Sequence, residues 1–157
     1  MASRTIFRDT ESAGSQGSGP HRGTFKVSAN TLYVKGCIVT RSAAGRAVNP
    51  STADVSGLPA MGVCAATIDN RTNAEMGGLD DSGNVELEYG SFGFDLAAGS
   101  ATPVPGTLMY VFDNQSVTTI SSTRGIAGKC VEYRANSKGV LQCYVRFSPA
   151  EAGTPTV

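Results

Sequence analysis

Histidine is almost missing from this chain: His21 is the only one, and it sits in a polar N-terminal stretch. A serine or cysteine nucleophile activated by an imidazole needs that ring held within hydrogen-bond reach, so catalysis of this kind is not expected. The G-x-S-x-G, H-E-x-x-H and G-x-x-x-x-G-K-[ST] patterns are missing too, and no catalytic residue is assigned. Cys37, Cys64, Cys130 and Cys143 never form a C-x-x-C pair, so the spacing of a zinc site is lacking. No metal and no cofactor are expected. No apolar run of about 18 residues occurs, which excludes a membrane-spanning helix. Charge is scarce as well, at 17% of residues with a formal net of zero. Bulk electrostatics therefore do not point to nucleic acid.

The few charges are unevenly spread. Residues 1 to 49 hold seven Arg and Lys against Asp9 and Glu11, and residues 50 to 120 hold nine acids against Arg71. The remaining stretch is basic again, which suggests a basic arm and an acidic exposed face. Each cysteine lies in an apolar, strand-like run, where a thiol behaves as a small hydrophobe. The N-terminus MASRTIFRDTESAG has no apolar signal-peptide core, so four buried, reduced thiols are expected rather than disulfides. In that setting the glycosylation triplets at Asn70 and Asn114 carry no meaning.

What the chain has in quantity is strand-like alternation. In VELEYGSFGFDL, Val85 to Leu96, the apolar positions Val85, Leu87 and Tyr89 alternate with Glu86 and Glu88, the period of a half-buried strand. After Gly90 the parity changes and Phe92, Phe94 and Leu96 carry the pattern. A bulge or sharp bend at Gly90-Ser91 would turn both halves inward, as where a sheet closes into a barrel or switches sheets. Further strands are expected in TFKVS, in Leu32 to Thr40 with a bulge at Gly36, and in Ala60 to Ile68. Thr107 to Asp113 and SVTTISS should form a hairpin, as should Gly125 to Tyr133 and Gly139 to Phe147. In the last strand Leu141, Cys143, Val145 and Phe147 should face in, and Gln142, Tyr144 and Arg146 out. Residues 41 to 59 read as a loop with one helical turn after Asn49-Pro50. Asp69 to Asn84 reads as a polar connection ending in a solvated turn; its acids lack the spacing of a calcium loop.

Eight or so short strands without helical periodicity predict an all-β fold, a small β-barrel or β-sandwich of jelly-roll or tulip-like form. An extended N-terminal arm, 1–23, precedes the body, 24–147, and a tail, 148–157, follows it. The arm is rich in Ser and Gly and has no strand or helix period, so alone in water it should not fold. It does contain Ile6 and Phe7, an isolated apolar pair between Arg4 and Arg8. With Arg22, these form a candidate anchor for a groove on a partner.

Taken as a series, AMGVCAATIDN, VELEYGSFGFDL, GTLMYVFDNQSVTT, STRGIAGKCVEY and the closing GVLQCYV resemble the capsid decoration, or cement, proteins of tailed bacteriophages over about residues 32 to 147. The resemblance implies a non-enzymatic β protein made in the host bacterial cytoplasm and carried on the capsid exterior of the virion. It also implies that the protein binds the major capsid protein and associates with itself, a trimer being favoured and a dimer possible. No nucleic acid or membrane partner is implied. Two other classes are kept open. GFDLAA followed by PVPG, Gly93 to Gly106, resembles the first motif of the trimeric dUTPases, whose R-S-G and G-x-I-D-x-D-Y-R-G motifs this chain lacks. A carbohydrate-binding β module of a phage tail or surface complex is the other.

Overall fold

The computed structural model describes residues 22–50 and 59–147. The described residues contain no helix and form twelve strands: β1 Arg22–Lys26, β2 Thr31–Tyr33, β3 Ile38–Arg41, β4 Ala47–Val48, β5 Ala60–Cys64, β6 Ile68–Asn70, β7 Asn84–Glu88, β8 Gly90–Leu96, β9 Leu108–Val111, β10 Ser116–Thr118, β11 Ile126–Ala135 and β12 Leu141–Phe147. The all-β expectation holds. The helical turn expected after Asn49-Pro50, the tail and almost all of the arm lie outside the described residues. The strand expected from Thr24 begins two residues earlier, at Arg22.

Two larger β units make up most of the body. One is a sheet in the order β1-β7-β5-β3-β4, and the other is a closed barrel in the order β10-β8-β12-β11-β9. Closure leaves the barrel without an edge strand to pair with other chains. Its interior is filled by alternate residues of each stave, among them Phe92 and Phe94 from β8, Met109 and Val111 from β9, Val117 from β10, and Cys143, Val145 and Phe147 from β12. The Phe147 ring lies edge-on to Phe94 at 5.7 Å between centroids, the arrangement that aromatic quadrupoles favour. Removing one such fully buried side chain from water contributes about 1.5–3 kcal/mol.

Ile38, Ala60 and Val63 pack into this barrel core, whereas Val39, Met61 and Cys64 on the opposite faces of β3 and β5 join a second core with Val27, Tyr33, Val85 and Leu87. Strands β3 and β5 are thus covered on both sides, which is why Ala60–Cys64 is an unbroken apolar run with every residue buried.

Two strands expected to be continuous are broken. The run Leu32 to Thr40 divides into β2 and β3, and Ala60 to Ile68 into β5 and β6, while β2 and β6 pair with each other as a separate ribbon. Both breaks fall at one level. Gly36 N–H donates to Cys64 O, and Cys64 N–H to Cys37 O, so the two paired strands bend together. Gly36 occupies the turn rather than a bulge.

The last strand also departs from simple alternation. Cys143, Val145 and Phe147 face the core as expected, but Tyr144 is fully buried and Leu141 is exposed. On the far side of β12, Tyr144 pairs with Gly93. A Cβ at Gly93 would come within 2.9 Å of the Tyr144 ring, so the missing side chain makes room for it. Arg134 covers the ring from the other direction, its guanidinium 4.3 Å from the centroid. Leu141 falls opposite Ala135, next to the turn that closes the β11–β12 hairpin.

Candidate attachment surface

Strand β1 is an outermost strand of the five-stranded sheet and is hydrogen-bonded to β7. Its residues alternate between exposed and half-buried. Arg22 is its first residue, so residues 1–21 join the body at a sheet edge. The register sets Arg22 opposite Glu88 and Thr24 opposite Glu86. The Arg22 guanidinium reaches both acids, with Nη1 2.8 Å from Glu86 Oε1 and Nη2 3.3 Å from Glu88 Oε2. Glu86 is about half exposed, whereas the Glu88 side chain is only 7% exposed. A carboxylate that far from water gains from charge-assisted hydrogen bonds. Of the five anchor residues expected from sequence, Arg22 is therefore tied to the body, and Arg4, Ile6, Phe7 and Arg8 lie outside the described residues.

The acidic connection between β6 and β7 is held from within. Asn70, fully buried, donates through Nδ2 to Ser28 O at 2.7 Å and Leu79 O at 2.9 Å, and its Oδ1 accepts from Gly78 N–H and Ser82 Oγ–H. All four bonds available to the carboxamide are made. An asparagine used in this way is not presented for glycosylation, so the triplet at Asn70 is structural. Asp69, Asp80 and Asp81 pair with arginines: Arg46 grips Asp81 through two bonds of 2.9 Å and lies 3.8 Å from Asp80, and Arg71 grips Asp69. Arg71 holds the Asp69 carboxyl at about 2, well below its ordinary value. Among the described residues no group of three or more His, Cys, Asp or Glu side chains is placed to hold a metal ion.

A cleft of about 290 Å³ opens between the turn after β2 and strands β8 and β12. Its polar lining is Lys35, Asp95, Gln115 and Gln142, and its floor includes Gly93 and Phe94. Residues Gly93 to Leu96 of the dUTPase-like stretch are the end of β8, and the stretch then continues as a loop. The arrangement can hydrogen-bond a small polar ligand.

All four cysteines are buried and unbridged. Burial pushes the Cys64 thiol up to about 11 and raises Cys130 and Cys143 as well. Cys130 and Cys143 have their sulfurs 3.6 Å apart.

Sequence reasoning did not single out the exposed aliphatic side chains. Val34, Leu79, Val104, Leu108, Ile120, Val131, Val140 and Leu141 all stand in solvent, with no aromatic residue among the exposed large hydrophobics. A lone leucine in a polar turn was a legible signal at Leu79. Val131 had none, because its exposure comes from a register shift between Cys130 and Glu132 that leaves it as the extra residue of a bulge. Compared with family models, curated proteins and solved structures, the chain has no match.

Proposed function

We propose that this chain is a decoration protein of a tailed-bacteriophage head, binding the outer surface of the major capsid protein lattice, associating with itself and reinforcing the lattice against internal DNA pressure. The observation that carries the reading is the point of entry of the arm. A body whose two cores, among the described residues, are built from positions 25 to 147 receives a 21-residue segment at the edge strand β1, with Arg22 clamped to the neighbouring strand. A segment that gains order only on contact can spread binding over a wide area while the body stays rigid. Fully extended, 21 residues reach on the order of 70 Å.

Within the arm, Ile6 and Phe7 supply the apolar contact and Arg4 and Arg8 the charge. Desolvating the two apolar side chains contributes on the order of 3 to 5 kcal/mol, and the arginines pair with carboxylates at the rim of the groove. The barrel gives the complex its stiffness, since a closed sheet has no frayed edge to open under load. The exposed aliphatic residues, with no exposed aromatic among the described residues beside them, suit protein surfaces better than sugar rings.

The test is to add the purified protein to heads of the parent phage that lack it and to follow co-sedimentation and heat-induced DNA release. Binding that saturates at a fixed ratio to the major capsid protein, with DNA release moved to higher temperature, is expected. Absence of saturable binding contradicts the reading.

A further inference from the structure

We infer that copies of this chain associate head to tail, Leu79 of one copy seating in an apolar patch around the start of β9 on the next. The inference deepens the self-association part of the decoration reading and rests on that part alone.

The patch is assembled by register. Leu108 opens β9, which lies between β10 and β11 in the barrel. On one side Leu108 pairs with Lys129, and Val131 follows two residues along β11. On the other side Thr118 pairs with Tyr110, so the chain running on to Ile120 returns toward the level of Leu108. The turn before β9 is closed by Thr107 N–H on Val104 O and fixed to β11 by Gly106 N–H on Cys130 O, which brings Val104 to the same end. Val104 is 62% exposed and Ile120 46%, with Leu108 and Val131 each more than a third exposed. Four of the eight exposed large hydrophobics of the described residues thus gather at one end of one stave. An apolar grouping of this kind on a rigid wall marks an interaction surface.

The knob is equally fixed. Leu79 is 69% exposed, the most of any large hydrophobic among the described residues. Its carbonyl accepts from Asn70 Nδ2 at 2.9 Å. The same turn is tied to the end of β1 by Asp81 N–H on Val27 O and Val27 N–H on Gly83 O. A leucine held out by a pinned turn loses little freedom on docking.

Charge selects the occupant. Asp80 and Asp81 follow Leu79; Arg46 and Lys26 act on Asp81, whereas the Asp80 carboxylate is half exposed with Arg46 at 3.8 Å. Beside the patch, Lys129 pairs across the ladder with Arg146, and Lys129 enters no ion pair among the described residues. An apolar knob with an acidic collar therefore meets an apolar patch with a basic flank, both on the same chain. The two surfaces differ, so the contact is heterologous, and it closes into a ring when the rotation between copies allows. The patch lies on the barrel and the knob on the other β unit, which leaves each copy one of each to offer.

The test uses the full chain in light scattering and sedimentation, with Leu79→Ser and Leu108→Ser as variants and circular dichroism as the check on folding. Wild type is expected at a small multiple of the 16.2 kDa chain mass. Each variant should keep the β spectrum and raise the dissociation constant at least about thirtyfold, the loss expected of a central anchor. Mixing the two variants should then restore one intact contact, giving a one-to-one pair and nothing larger. A monomeric wild type, a folded single variant that keeps the wild-type mass, or a mixture that stays monomeric overturns the inference. Retention on heads is not measured in this assay, so failure here is separable from failure of the decoration reading.

Discussion

Glu88 and Gly90 are separated by one residue yet belong to different sheets. Glu88 pairs with Arg22 and Val63 in the five-stranded sheet, whereas Gly90 pairs with Phe147 in the barrel. The side chains before the crossing, Val85 and Leu87, fill one core, and those after it, Phe92 and Phe94, fill the other. Gly90 makes the crossing with a φ of 131°, a backbone conformation that residues with a Cβ resist.

Replacing Gly90 with Val should therefore destabilise the fold by at least about 1 kcal/mol. Urea denaturation followed by circular dichroism measures it through the midpoint. An unchanged midpoint would show that the crossing does not need glycine.

That crossing was the most legible feature of the sequence, because a parity change is visible in the order of residues alone. The hairpin of β11 and β12 was legible for the same reason. What local alternation could not supply was the partner across the sheet: Tyr144 reads as a solvent-facing residue until Gly93 and Arg134, from other positions in the chain, are brought around its ring. Likewise the breaks in Leu32 to Thr40 and Ala60 to Ile68 come from hydrogen bonds between Gly36, Cys37 and Cys64, which no pattern within either run contains. Of the candidate anchor, sequence reasoning could name Arg22 but not its tie to Glu86 and Glu88, since that tie depends on the register of β1 against β7.

The thiols give a second test. With all four cysteines buried, and with Cys64, Cys130 and Cys143 shifted upward, little thiolate is exposed to reagent near neutral pH. The folded protein should react slowly with iodoacetamide, and denaturant without reductant should release four rapidly alkylated thiols. Mass spectrometry that instead finds a native disulfide, most readily between the adjacent sulfurs of Cys130 and Cys143, would contradict the reduced assignment.

A third test concerns Asp69. Its hydrogen bonds from Arg71, from side chain and backbone, hold the folded carboxyl at about 2 against an ordinary 3.8. The folded value lies below the unfolded one, so the pairing favours the folded state fully above the ordinary carboxylate value and is lost as pH falls through about 2. An NMR titration of the Asp69 carboxyl should have its midpoint near 2. Arg71→Ala should move that midpoint upward; a midpoint that does not move would remove Arg71 as the cause.

The central claim, that the arm attaches a self-sufficient body to a phage head, is tested most directly by deleting residues 1–21 and measuring occupancy on heads that lack the protein. The described residues of both cores remain in the truncated chain, so its circular dichroism should match that of the full protein while occupancy falls sharply. Full occupancy by the truncated chain would contradict the account, showing that the body binds without the arm.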